Sequence, residues 1–81
     1  YYIRLRVADK PGVLAATSNV FGVHGVSLSS VMQPEGQEGE TVDLVYVTHR
    51  ASEAAVRSSL QEIEALEPVR SIGTVLRVED L

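Results

Sequence analysis

In the segment Asp9-Lys10-Pro11-Gly12-Val13-Leu14, residue types and spacing come closest to chemistry. It joins a run with strand periodicity to one with helical periodicity. It therefore opens a helix whose first N–H groups lack partners within the helix and carry the positive end of its dipole. That is a seat for a carboxylate. Gly12 clears a side chain from the seat, and Asp9 accepts a hydrogen bond from an ammonium or hydroxyl group. Together these features suit a free amino acid. A plainer reading explains the same residues without a ligand, and on these residues alone it is the stronger: Asp9 caps the helix, Pro11 starts it and Gly12 packs closely.

Other reactive groups fall short of a constellation. His24 and His49 end a helical and a strand-like run, with no carboxylate at metal-site spacing, so both read as structural histidines and no metal is expected. The 81 residues contain no cysteine, which removes thiolate metal sites, redox pairs and cysteine nucleophiles and fits a reducing cytoplasm. Ser27, Ser29 and Ser30 lie outside any Gly-x-Ser-x-Gly elbow and read as polar strand positions. Glu35, Glu38 and Glu40 share a glycine-containing loop and read as a solvated hairpin. Arg4, Arg6 and Arg77 belong to the first and last strands, on the face away from the helices. They form either a small anion patch or, as the better reading, cross-strand charges offset by Asp43 or Glu79. Tyr2 and Tyr46 are the only rings available there for stacking on bases, and the net charge of −4 is a poor footprint for a phosphate backbone, so no nucleic-acid partner is expected. No apolar run reaches membrane-spanning length, so no membrane partner is expected either.

The elements that must position these residues follow from periodicity. Ile3, Leu5 and Val7 alternate with Arg4 and Arg6, which predicts a half-buried strand over 2–7. Val13, Ala16 and Val20, with Leu14, Thr17 and Phe21, predict a helix stopped by Gly25 beside His24. Gly22 within it points to close packing against a neighbour. A short strand is expected over 27–32. A denser one over 41–49, apolar on both faces, is expected at the sheet centre. Ser52 is the expected N-cap of a second helix, traced by Val56, Leu60, Ile63 and Leu66 and stopped by Pro68. The last strand spans 69–78, with Ile72, Thr74, Leu76 and Val78 on one face, Val75 and Arg77 on the other, and a bulge at Gly73.

With right-handed crossovers this order gives an α+β, ferredoxin-like βαββαβ sandwich, a four-stranded antiparallel sheet with two helices on one face. The first and third strands are central. The edge strand Ser27, Leu28, Ser29, Ser30, Val31 and Met32 is uncharged, which monomers usually avoid, so pairing with a second copy is its simplest use. One domain covers 1–81. Its core is thin at this size, and because Tyr1 leads straight into a strand it reads as a domain cut from a longer protein.

Over the whole chain, these motifs resemble the ACT domain, a regulatory module of amino-acid metabolism. The resemblance rests on Val7 through Leu14, on Phe21-Gly22-x-x-Gly25-Val26-Ser27-Leu28 and on the glycine-bearing last strand. Tyr1 to Val7 with Asp9-Lys10-Pro11-Gly12-Val13-Leu14-Ala15, and Val45-x-Val47-Thr48-His49, is similar more narrowly to the C-terminal ACT domain of bacterial homoserine dehydrogenases. The resemblance implies two copies side by side in one eight-stranded sheet, with an amino-acid effector at the junction. Asp9, Lys10, Pro11, Gly12, Val13, Leu14 and Ser27 are then the effector-binding residues. Asp9 stands at a turn position often held by Asn or Asp, and Ser27 at a polar position early in the second strand. The effector implied is L-threonine, and the catalytic domains of the parent chain are the other partner. No cofactor is expected here, because the dinucleotide fingerprint of a dehydrogenase is absent from this chain. Two alternatives stay open: a module that only dimerises, and an ACT domain of another enzyme such as phosphoglycerate dehydrogenase. A ferredoxin-like enzyme such as an acylphosphatase would need an anion-cradling loop with Arg and Asn, and Asn19, the only asparagine, lies inside a helix.

Overall fold

A computed structural model describes residues 1–34 and 40–78. The elements run β1 (Tyr2–Ala8), α1 (Val13–Val23), β2 (Leu28–Met32), β3 (Thr41–Thr48), α2 (Glu53–Glu64) and β4 (Val69–Leu76). One sheet, antiparallel at each pairing, has the order β2-β3-β1-β4, so the expected ferredoxin-like architecture and both central strands are found. Glu35 and Glu38 of the acidic loop, and Glu79, lie outside the described residues.

Alternation in β1 and β3 builds the core. Ile3, Leu5 and Val7 stand opposite Tyr46, Leu44 and Val42, and all six are buried with Val20, Phe21, Val56 and Ile63 in one cluster. The Tyr46 and Phe21 rings meet with centroids 5.3 Å apart, tilted by 49°. Tyr46 is fully buried on this helix-covered face, which corrects the expectation that it lines the open face with Tyr2. Arg4, Arg6 and Asp43 do occupy the open face: Arg4 Nη2 lies 2.8 Å and Arg6 Nη1 3.2 Å from the Asp43 carboxylate. The hydrogen bond to Asp43 is the main cause that holds the Arg4 guanidinium above its ordinary range. Arg4 and Arg6 are thus offset across strands rather than gathered for an anion.

Both ends of α1 are set by backbone alone. Its N-cap is Gly12, at φ 84°, and no side chain caps it. Asp9 is therefore not the cap, and Pro11 lies in the turn ahead of the helix rather than in its first turn. At the far end Gly25 takes φ 78°. Its N–H donates to Gly22 O (3.0 Å) and that of Val26 to Phe21 O (2.8 Å), the paired bonds of a Schellman stop. His24, at the C-cap, leaves Nε2 buried with no hydrogen-bond partner, 3.7 Å from Glu62 Oε1. The buried residues of α1 are Val13, Thr17, Val20 and Phe21, while Leu14 and Ala16 are exposed. A side chain at Gly22 would meet nothing within 4 Å, so the expected close neighbour is absent from a single copy.

In α2, Ser52 caps as expected, accepting from Ala55 N at 3.1 Å. The bulge at Gly73 is present, and a second falls at Arg70, because Arg4 pairs with Thr74 and Leu5 with Ile72, then Arg6 with Ser71 and Val7 with Val69. The inserted residue reverses the expected parity: Ile72 and Val75 share the helix-covered face, paired with Leu5 and Ile3, while Thr74 and Leu76 share the open one. Arg77 lies beyond β4 and does not join Arg4 and Arg6. The second strand starts at Leu28 rather than Ser27, with an irregularity at Ser29.

Candidate functional site at the turn between β1 and α1

The turn is pinned by main-chain bonds on both sides. Ala8 N donates to Pro68 O (2.7 Å), Asp9 N to Glu40 O (2.9 Å) and Lys10 N to Ala8 O (2.9 Å). These bonds leave the Asp9 and Lys10 side chains exposed at the rim and turn the start of α1 toward solvent. Gly12 is required by its backbone conformation, since a Cβ there would have open space around it.

Two cavities flank this turn. The first, about 150 Å³, brings Asp9, Lys10, Val13 and Leu14 together with Met32 and Gln33 at the end of β2. Its floor is apolar, from Val7, Val31, Val42 and Leu44. The second, about 290 Å³, lies between Pro11 and Gly12 on one side and Glu67 and Pro68 on the other. Four of the expected binding residues thus share one cleft, while Pro11 and Gly12 belong to the other. Ser27 belongs to neither. It precedes β2 at the opposite end of the sheet, where its carbonyl accepts from His49 N at 2.9 Å, about 20 Å of strand away from Gln33. Gln33 is the residue that sequence reasoning passed over, because it reads as the start of a loop. The signal available was strand polarity: an antiparallel β2 must end where β3 begins, beside the turn.

Beside the cleft, the Tyr46 hydroxyl bonds to Thr17 Oγ1, which also reaches Val13 O (3.0 Å) at the first turn of α1. Either hydroxyl can be the donor in the bond between Tyr46 and Thr17. Burial pushes the Tyr46 phenol up from its ordinary value, partly opposed by Thr17. Among the described residues no group of three His, Cys, Asp or Glu is placed to hold a metal ion, and no helix is long and apolar enough to cross a membrane.

The ACT domain family model matches residues 1–67. The chain belongs to the ACT domain family. Among curated relatives, a homoserine dehydrogenase of Methylobacillus glycogenes is 40% identical over 82 residues, covering 100% of this chain and 20% of that protein. One of Synechocystis is 42% identical over 78 residues, covering 96% of this chain and 18% of that protein. Among solved structures, a homoserine dehydrogenase from Thiobacillus denitrificans superposes with a TM-score of 0.85 at 33% identity, over 98% of this chain and 17% of that one. The acetolactate synthase small subunit of Thermotoga maritima, at 21% identity and a TM-score of 0.72 over 89% of this chain and 44% of that one, shares the fold. This ACT domain therefore spans about a fifth of the relatives it matches, aligns with their C-terminal part and lacks their catalytic domains.

Proposed function

We propose that this ACT domain pairs with a second copy through β2 and binds a small L-amino acid, threonine first, between the Asp9 turn of one copy and the β2 strand of the other. The observation that carries the reading is the half-built cleft. At about 150 Å³ it falls below the roughly 300 Å³ at which small-molecule sites begin, and one of its walls is an unpaired strand edge. Antiparallel pairing of β2 with its copy would carry Ser27 of the second chain from the far end of the sheet to the Gln33 end of the first. That supplies the missing polar wall. The start of α1, without a side-chain cap, faces the effector carboxylate, and Asp9 its ammonium. In this reading the parent is a cytoplasmic homoserine dehydrogenase under feedback control by its pathway amino acid.

Thermal unfolding with each amino acid tests it. A ligand bound only by the folded state stabilises by RT ln(1+[L]/Kd), about 2.7 kcal/mol at roughly 100 Kd, a rise of roughly 10 °C or more in Tm for a domain of this size. Threonine is expected to give that rise. No shift with any amino acid at millimolar concentration would leave a module that only dimerises.

A further inference from the structure

A third cavity, an open groove of about 460 Å³, runs between α2 and β4. Its floor is apolar, with Val56 and Leu60 from α2 and Ile72 and Val75 from β4. The bulge at Gly73 builds that floor, because the inserted residue turns Val75 to the helix-covered face beside Ile72, where plain alternation would send it to the open one. Val75 is left 41% exposed there. The rim is polar: Glu53 and Arg57 meet each other at 3.3 Å, and Gln61 and Glu64 follow along α2. An apolar floor inside a polar rim is the make-up of a docking surface. Because β4 is the sheet edge opposite β2, pairing through β2 leaves the groove open.

Two observations name the occupant. Tyr1 stands at one end of the groove, its carbonyl accepting from Thr48 N at 2.9 Å and its nitrogen donating to Thr48 Oγ1 at 3.0 Å, so any chain that precedes it begins there. In the relatives, most of the protein lies ahead of the matched segment. Size agrees with such an occupant. Nine of the described residues line the groove, whereas a stable contact between separate proteins takes about 20–30 residues a side. A segment tethered at Tyr1 needs far less, because its effective concentration is on the order of millimolar. We infer that the groove seats a segment of the parent chain upstream of Tyr1, which lays an apolar side chain among Leu60, Ile72 and Val75 and sets a basic one toward Glu64. Glu53 is already met by Arg57, so Glu64 is the rim carboxylate that faces the incoming segment. The seat depends neither on a bound amino acid nor on pairing through β2.

The test is photo-cross-linking in the full-length parent chain, without effector. Benzoylphenylalanine is placed at Gln61 on the rim and, as a control, at Ser58, exposed on the same helix outside the groove. Isotopically light and heavy chains are mixed, and mass spectrometry maps the adducts. Position 61 is expected to cross-link to residues upstream of Tyr1 in its own chain at several-fold the yield of position 58. Val75→Asp, a carboxylate on the groove floor at a site already part exposed, is expected to cut that yield several-fold, while Val75→Leu keeps it. Four results would each overturn the assignment: adducts confined to residues 1–81, residues 79–81 included; adducts joining light to heavy chains only; equal yield at 61 and 58; or an unchanged yield in Val75→Asp. The comparison of positions 61 and 58 needs no groove variant, so it decides the matter even where Val75→Asp fails to fold. Because no amino acid is present, failure of threonine binding is read separately, in the unfolding experiment.

Discussion

Asp9 and Gly12 both belong to the turn, yet the structure separates their duties. Asp9 does not cap α1, and among the described residues its backbone N–H is the group that is engaged, by Glu40 O. Asp9→Asn is therefore expected to leave urea unfolding unchanged while weakening the bound amino acid about tenfold by calorimetry, the scale of one hydrogen bond to a charged group. Gly12 is the reverse. An L residue in the left-handed region costs about 1–2 kcal/mol, so Gly12→Ala should lower stability by that amount without a steric clash, and Gly12→Asn should lower it less. Equal unfolding midpoints for all three would mean that the turn opens freely. Tyr46 sets a pH limit. Its folded-state pKa is raised by burial above the ordinary 10.0 of the unfolded chain, so its contribution to stability is complete below that value and is lost as pH rises toward the folded one. Stability should fall above about pH 10, and Tyr46→Phe should flatten that fall while costing about 1 kcal/mol at neutral pH for the bond to Thr17.

Between the two helices the contrast is in composition. α2 is polar outside, is capped by Ser52 and carries an exposed Glu53–Arg57 pair at 3.3 Å. α1 has no charged residue from Val13 to Val23 and leaves Leu14 and Val23 exposed. Gly22→Ala is accordingly expected to raise the stability of a single copy by about 1 kcal/mol, measured by urea unfolding at high dilution, because it improves helix propensity in open space. Element order, the central strands and the Ser52 cap were legible in the sequence because each follows from local pattern. The side on which a β4 residue lies was not. Two inserted residues, at Gly73 and Arg70, each shift parity by one, and the second has no glycine to announce it. The turn between β1 and α1 was legible as a motif, but the presence of Gln33 in the cleft beside it was not, since that depends on which way β2 runs past the turn.

For the molecule as a whole, the two sheet edges are unequal. β4 carries two bulges and Arg70, devices that blunt an edge, whereas β2 has one irregularity at Ser29 and no charge. Ser30→Lys should therefore shift sedimentation at micromolar concentration toward the monomer, with the unfolding curve of the monomer unchanged. A parent domain that is already monomeric throughout would remove the basis of the shared site. On the open face the charges of Arg4 and Arg6 are already met by Asp43 within one copy.

The backbone capping of α1 has a consequence for lineages that hold several such modules. Gly12 and Gly25 set where the helix starts and stops, with no side-chain cap on Gly12's end and backbone bonds from Gly25 and Val26 closing the other. Ala15, Asn19 and Val23, exposed along the same helix and outside both cavities at the turn, are thus free to be exchanged without moving the turn or the sheet. Such a surface can drift quickly between gene duplicates while the fold beneath it stays constant. Sister modules could then diverge on this face while keeping a single inherited architecture.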